Sequence, residues 1–134
     1  MSTTNAAEEI DSKYFIRTVT YSMLKEQVVL HERGRPQMTT VDEWPQLVFL
    51  SADGKHTVAD FIAAVSRQYS GGAPKGLPEQ TRQVIRDVAA HGYIVLMSKP
   101  QKLPYYLSMP IEQQDPVRSK QLMEADGFIT KVPK

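Results

Sequence analysis

Cysteine is absent from the 134 residues. That removes disulfides, thiolate metal sites and cysteine nucleophiles together, and it fits a reducing compartment. Long apolar runs are missing as well. No window approaches the roughly 18 apolar residues that a membrane span needs, and the opening MSTTNAAEEIDSKY has neither the basic nor the apolar region of a secretory signal. The chain is therefore read as cytoplasmic, with no membrane partner and with residues 1–13 as a disordered tail. Excess charge is a third absence. Sixteen Lys and Arg stand against fifteen Asp and Glu, a formal balance of +1, which weighs against a protein whose affinity rests on neutralising many phosphates. Basic residues gather only in pairs, such as Lys99 with Lys102 and Arg82 with Arg86.

Catalytic signatures are also wanting. There is no GxSxG elbow, no phosphate-cradling GxxxxGK and no paired carboxylates beside an aromatic pocket. The three histidines, His31, His56 and His91, are dispersed, with no HExxH and no i, i+4 pair. The residues accordingly predict no enzyme, no metal and no cofactor. His91 reads as a cation near a helix C-terminus, and His56 as a loop residue ahead of a helix cap.

What is present is a globular composition: 41% hydrophobic and 23% charged residues, with apolar side chains along most of the length. At this size one domain can bury roughly two-thirds of its unfolded surface, so residues 14–134 are expected to form a single α+β domain. Tyr14 to Tyr21 alternates Phe15, Arg17 and Val19 as a half-buried strand does. Glu26 to Glu32 is a second apolar run. Arg33-Gly34-Arg35-Pro36 then supplies a turn, and Gln37 to Val41 returns as a third strand, giving an N-terminal meander.

Asp42 to Ser51 reads as a helix capped by Asp42, with Pro45 in its first turn and Leu47, Val48 and Leu50 turned inward; VFLS also reads as strand. Asp53-Gly54 signals a turn, and Thr57 with Asp60 forms a capping-box variant that opens the next helix. Val58, Phe61, Ile62, Val65 and Tyr69 share its apolar face. Ser70 to Gly76 is a glycine-rich loop. Pro78 and Glu79 suit the first turn of a third helix, whose buried stripe is Leu77, Val84, Ile85, Val88 and Ala89 and whose end is His91-Gly92.

Tyr93 to Ser98 is a strand by composition, and after the Lys99–Lys102 tip, Leu103 to Met109 is expected to return as its hairpin partner, the shape of a wing. Tyr93, Tyr105, Tyr106, Met97 and Met109 make this hairpin rich in large amphipathic side chains, which suits core packing first and a partner or homodimer surface second. Asp115-Pro116 opens a short last helix closed by Gly127, with Leu122, Met123 and Phe128 to dock it. The architecture so read is winged helix-turn-helix-like: strand meander, three-helix core, C-terminal hairpin and short helix.

Residues from about 28 to 96 resemble the PqqD-like family, the peptide-binding domains known as RiPP recognition elements. The resemblance is carried by ADGKHTVADFIAAVSRQY, a loop, and a helix ending VAAHGYIVL, through Asp53, Gly54, Thr57, Val58, Phe61, Ile62, Gly92, Tyr93 and Ile94. Pro45 in the first helix and the extension over residues 97–134 depart from the family's unit. The resemblance implies three strands followed by three helices in a winged-helix arrangement. It also implies non-catalytic binding of a precursor or partner peptide by strand addition, with a biosynthetic enzyme among the partners. The edge would be Met38, Thr39, Thr40 and Val41 of the third strand, and the groove would be completed by the helix Pro78 to His91 through Gln80, Arg82, Gln83 and Arg86.

The alternative reading is a winged-helix transcriptional regulator. Arg82, Gln83 and Arg86 are the residue types that read guanine and adenine edges from a major groove. A DNA reader would gather phosphate-binding cations there, whereas this helix interleaves Glu79 and Asp87. Nucleic acid is thus the lesser expectation.

Overall fold

The computed structural model describes residues 10–31, 38–72 and 74–128. They form an α+β structure with four α-helices and two three-stranded antiparallel sheets. The chain groups into two compact units: residues 1–18 with 42–103, and residues 19–41 with 104–134.

The first unit holds strand β1 (Tyr14–Arg17), helix α1 (Glu43–Ser51), β5 (Asp53–Thr57), α2 (Val58–Ser66), α3 (Leu77–Ala90) and β6 (Ile94–Met97). Its sheet runs β5-β1-β6, so the N-terminal strand lies in the middle. Tyr14 to Arg17 pairs residue by residue with Met97 back to Ile94. This corrects the wing: Leu103 to Met109 does not pair with β6, whose strand partner is β1. Tyr105–Leu107 is a 3₁₀ turn instead, and Asp53-Gly54, read as a turn, belongs to strand β5.

Helices α1 and α2 both pack on α3. The capping box is present, Thr57 Oγ1 accepting from the Asp60 amide at 3.1 Å and the Asp60 carboxylate from the Thr57 amide at 3.0 Å. It orients α2 so that Val58, Phe61, Ile62 and Val65 are buried; Tyr69 lies beyond the helix end and is exposed. On α3 the buried stripe is Leu77, Thr81, Ile85 and Val88. Thr81 can sit there because its hydroxyl donates to the Leu77 carbonyl at 2.8 Å, leaving no polar group unpaired. In α1 it is Val48 and Phe49 that turn inward. Leu47 and Leu50 are exposed, a correction to the expected face. Asp42 occupies the N-cap position without a side-chain cap bond. Residues expected in a disordered tail also take part: Ile10 is buried, and Asp11 binds Arg82.

The second unit holds β2 (Thr20–Leu24), β3 (Gln27–His31), β4 (Met38–Thr40), two 3₁₀ turns at Tyr105–Leu107 and Ile111–Gln113, and helix α4 (Pro116–Ala125). Its sheet is the expected meander, in the order β2-β3-β4. The run Tyr14 to Tyr21 is therefore two strands in two sheets, broken at Thr18 and Val19. Asp115 caps α4 by accepting from the Val117 and Arg118 amides. Tyr106 and Leu107 are buried, and the Tyr106 ring meets Phe128 at 4.9 Å. The turn expected at residues 33–36 lies outside the described residues.

Candidate functional site

The residues predicted to bind a peptide fall in both units, the strand in the second and the helix in the first.

The β4 edge is set by the hairpin before it. Strands β2 and β3 are joined by two residues, Lys25 and Glu26, with Leu24 opposite Gln27 and Lys25 at φ 60°. A positive φ at the first central residue is the requirement of a tight hairpin turn, whose closing pair exchanges backbone hydrogen bonds. Alternation then fixes the rest of the ladder. Gln27, Val29 and His31 turn their amides and carbonyls toward β2, and Val28 and Leu30 turn theirs toward β4.

The register places Leu30 opposite Thr39, Val29 opposite Thr40 and His31 opposite Met38. Thr39 therefore spends its backbone groups on β3, whereas those of Met38 and Thr40 point to the outer side. Where the ladder ends, the Gln27 side-chain Nε2 donates to the carbonyls of Val28 (3.1 Å) and Val41 (2.8 Å), fixing Val41 at the strand's exit.

The same alternation turns the Met23 amide outward from β2, and there it is taken. Glu112 accepts from it at 2.6 Å, and this bond holds the Glu112 carboxyl below its ordinary range, aided by Ser22 and by His31. Ser22 Oγ lies 2.7 Å from His31 Nε2. One edge of the meander is thus closed by a side chain, while β4 is the terminal strand at the other among the described residues.

The polar face of α3 is bound up within its own unit. Arg82 makes a bidentate ion pair with Asp11 at 2.7 and 2.9 Å and a third contact with Glu79 at 3.2 Å, and the Asp11 bonds raise its pKa above the ordinary value. Arg86 reaches Glu79 at 3.3 Å, and Gln83 donates to Asp87 at 2.9 Å. Gln80 and Gln83, with Trp44 and Val84, line a cavity of about 330 Å³. Trp44 was missed in the sequence because it precedes Pro45 at a helix start, where periodicity carries no signal.

A second cavity of the same unit, about 240 Å³, is lined by Phe15, Ser51, Asp53, His56, Asp60, Phe61 and Ala64. His56, read as a loop residue, stands on β5 with Nδ1 donating to Asp53 at 3.0 Å. Burial alone would raise the Asp53 pKa, but the Lys55 amide and His56 outweigh it and hold the carboxyl below its ordinary value. Among the described residues no group of three or more His, Asp or Glu is placed to hold a metal ion, and no helix is long and apolar enough to cross a membrane. No protein-family model, no curated protein and no solved structure matches the chain.

Proposed function

We propose that this chain is a non-catalytic peptide-recognition domain, PqqD-like in kind, that takes an extended peptide as an added strand along the outer side of β4 and presents it to a partner enzyme. The observation that carries the reading is the asymmetry of the β2-β3-β4 sheet: Glu112 closes the β2 edge, and Met38 and Thr40 turn their backbone groups to the outer side of β4. Strand addition uses such an edge, with main-chain bonds for affinity and side-chain pockets for selectivity.

Magnitudes limit what the edge does alone. Two outward residues offer up to four backbone bonds at about 0.5–1.5 kcal/mol net each, before the cost of ordering the peptide. Micromolar affinity needs about 8 kcal/mol, so a selective peptide must also place side chains.

The test separates the edge from the fold. Synthetic peptides translated from short reading frames beside the gene are titrated into ¹⁵N-labelled protein. Binding should shift the amides of Met38 to Val41. Thr40→Pro should weaken it at least about tenfold, since it removes an outward N–H. Thr39→Pro should instead cost stability, about 1–3 kcal/mol, since its N–H belongs to the β3 ladder. Saturable binding that leaves Met38 to Val41 unshifted and is indifferent to Thr40→Pro would overturn the reading.

A further inference from the structure

We infer that the cavity over Phe15 and Phe61 is a binding site for an arginine side chain of a partner polypeptide. Its wall is aromatic. Phe15 and Phe61 pack edge to face, ring centroids 5.9 Å apart; Phe15 is fully buried behind the wall, and Phe61 reaches the cavity by its rim beside Ala64, one turn of α2 beyond Asp60. Its mouth carries two carboxylates and the His56 imidazole that pairs with one of them. Asp53 from β5 and Asp60 from the first turn of α2 both line it, and each keeps acceptor capacity beyond the bonds that hold it. The Asp60 carboxylate takes the Thr57 amide through Oδ2, and Asp53 takes the Lys55 amide and His56 Nδ1.

Asp60 stands exposed at the rim and Asp53 is half-buried. Here they border a concavity of about 240 Å³ whose accessible lining is mostly apolar, below the roughly 300–1,000 Å³ that encloses a drug-sized ligand. That volume suits one long side chain. Charge complementarity then selects the chemistry: a cation to meet Asp53 and Asp60, with an apolar stem to cover Phe61 and Ala64. Arginine meets both demands better than lysine, because its planar fork binds carboxylates in two directions and its guanidinium is the more weakly hydrated cation. The site is independent of the β4 edge, so either can fail without the other.

The experiment uses the full chain and three probes: N-acetyl-arginine methylamide, its uncharged isostere N-acetyl-citrulline methylamide, and a short peptide with one central arginine. Amide shifts of Asp53 to Thr57 and of Ala64 are followed by NMR. The arginine amide should give saturable shifts, the citrulline analogue should bind at least tenfold more weakly, and the peptide should bind at least as tightly as the amide. Asp53→Asn and Asp60→Asn keep an acceptor for the Lys55 and Thr57 amides, so each should leave the melting temperature nearly unchanged while weakening arginine tenfold or more. Ala64→Leu fills the cavity and should do the same with both carboxylates intact. Equal binding of citrulline, or arginine binding untouched by Ala64→Leu, would overturn the assignment: the first because charge is not read, the second because the cavity is not entered.

Discussion

Arg17 shows how one residue can change meaning between sequence and structure. In the strand pattern it stands on the same side as Phe15, and a charge there is expected to reach solvent. In the structure it is 5% exposed. Its Nη1 donates to the carbonyls of Phe49, Leu50 and Ala52 at 3.1–3.4 Å, so a fixed cation ties down the end of α1, where the helix dipole is negative and carbonyls lack intrahelical donors. Replacing Arg17 with Met keeps the stem and removes the donor. Bonds to charged groups contribute about 1.5–3 kcal/mol each, and buried acceptors left unpaired add to the loss; the variant should lose about 2–4 kcal/mol. Urea unfolding at unchanged m-value measures this, and a loss under about 0.5 kcal/mol would mean the contacts are incidental. Gly54 belongs to the same scale. At φ +79° it donates shape alone: a Cβ would collide with the Gln101 carbonyl, whose amide is held by the Gly54 carbonyl at 2.9 Å. The DG pair was legible as a backbone special. Its place within a strand was not, because the chain that crosses it comes from forty-odd positions later in the sequence.

Among the elements, the capped helices were the most readable and the strand partners the least. Thr57 with Asp60 and Asp115 with Pro116 are local signals acting over three residues, and both caps form. The β2 edge depends instead on Glu112, eighty-nine residues from the Met23 amide it accepts. This contact has a consequence for pH. The bonded carboxyl has a folded-state pKa below its ordinary 4.5, so the folded form binds its proton less readily than the unfolded form does. The stabilisation is complete above that ordinary value and is lost as pH falls through the lower folded value. The Met23 amide should therefore titrate in NMR with a midpoint below 4.5, and Glu112→Gln should erase that titration. A midpoint at or above the ordinary value would show that the bond does not form in solution. Exposure limits its weight in stability.

Considered as a whole chain, charge weighs against one partner class. The formal balance is +1, and the two arginines that would read DNA from α3 are held by Asp11 and Glu79. A groove-reading helix must first break those pairs. Binding to duplex DNA at physiological salt should therefore stay weaker than micromolar and vanish with added salt. A nanomolar, sequence-specific complex weakened by Arg86→Ala would install the regulator reading in place of peptide recognition.

The sequence by itself determined what depends on neighbours within a few residues: the absence of thiol chemistry, the two cap motifs, the buried face of α2 from Val58 to Val65, the Leu77, Ile85 and Val88 positions of α3 though not Thr81 among them, the meander, and the mixed α+β class. Tertiary structure decided which strands meet. Propensity arguments cannot see that Thr18 and Val19 divide one apolar run between two sheets, or that β1 rather than residues 103–109 pairs with β6. Nor does any local pattern place Asp11 on Arg82 or Glu112 on Met23. Each of these follows from long-range closure, where the free energy comes from burial and bonding between segments far apart in the chain, and periodicity within a segment records only that it has a face to bury.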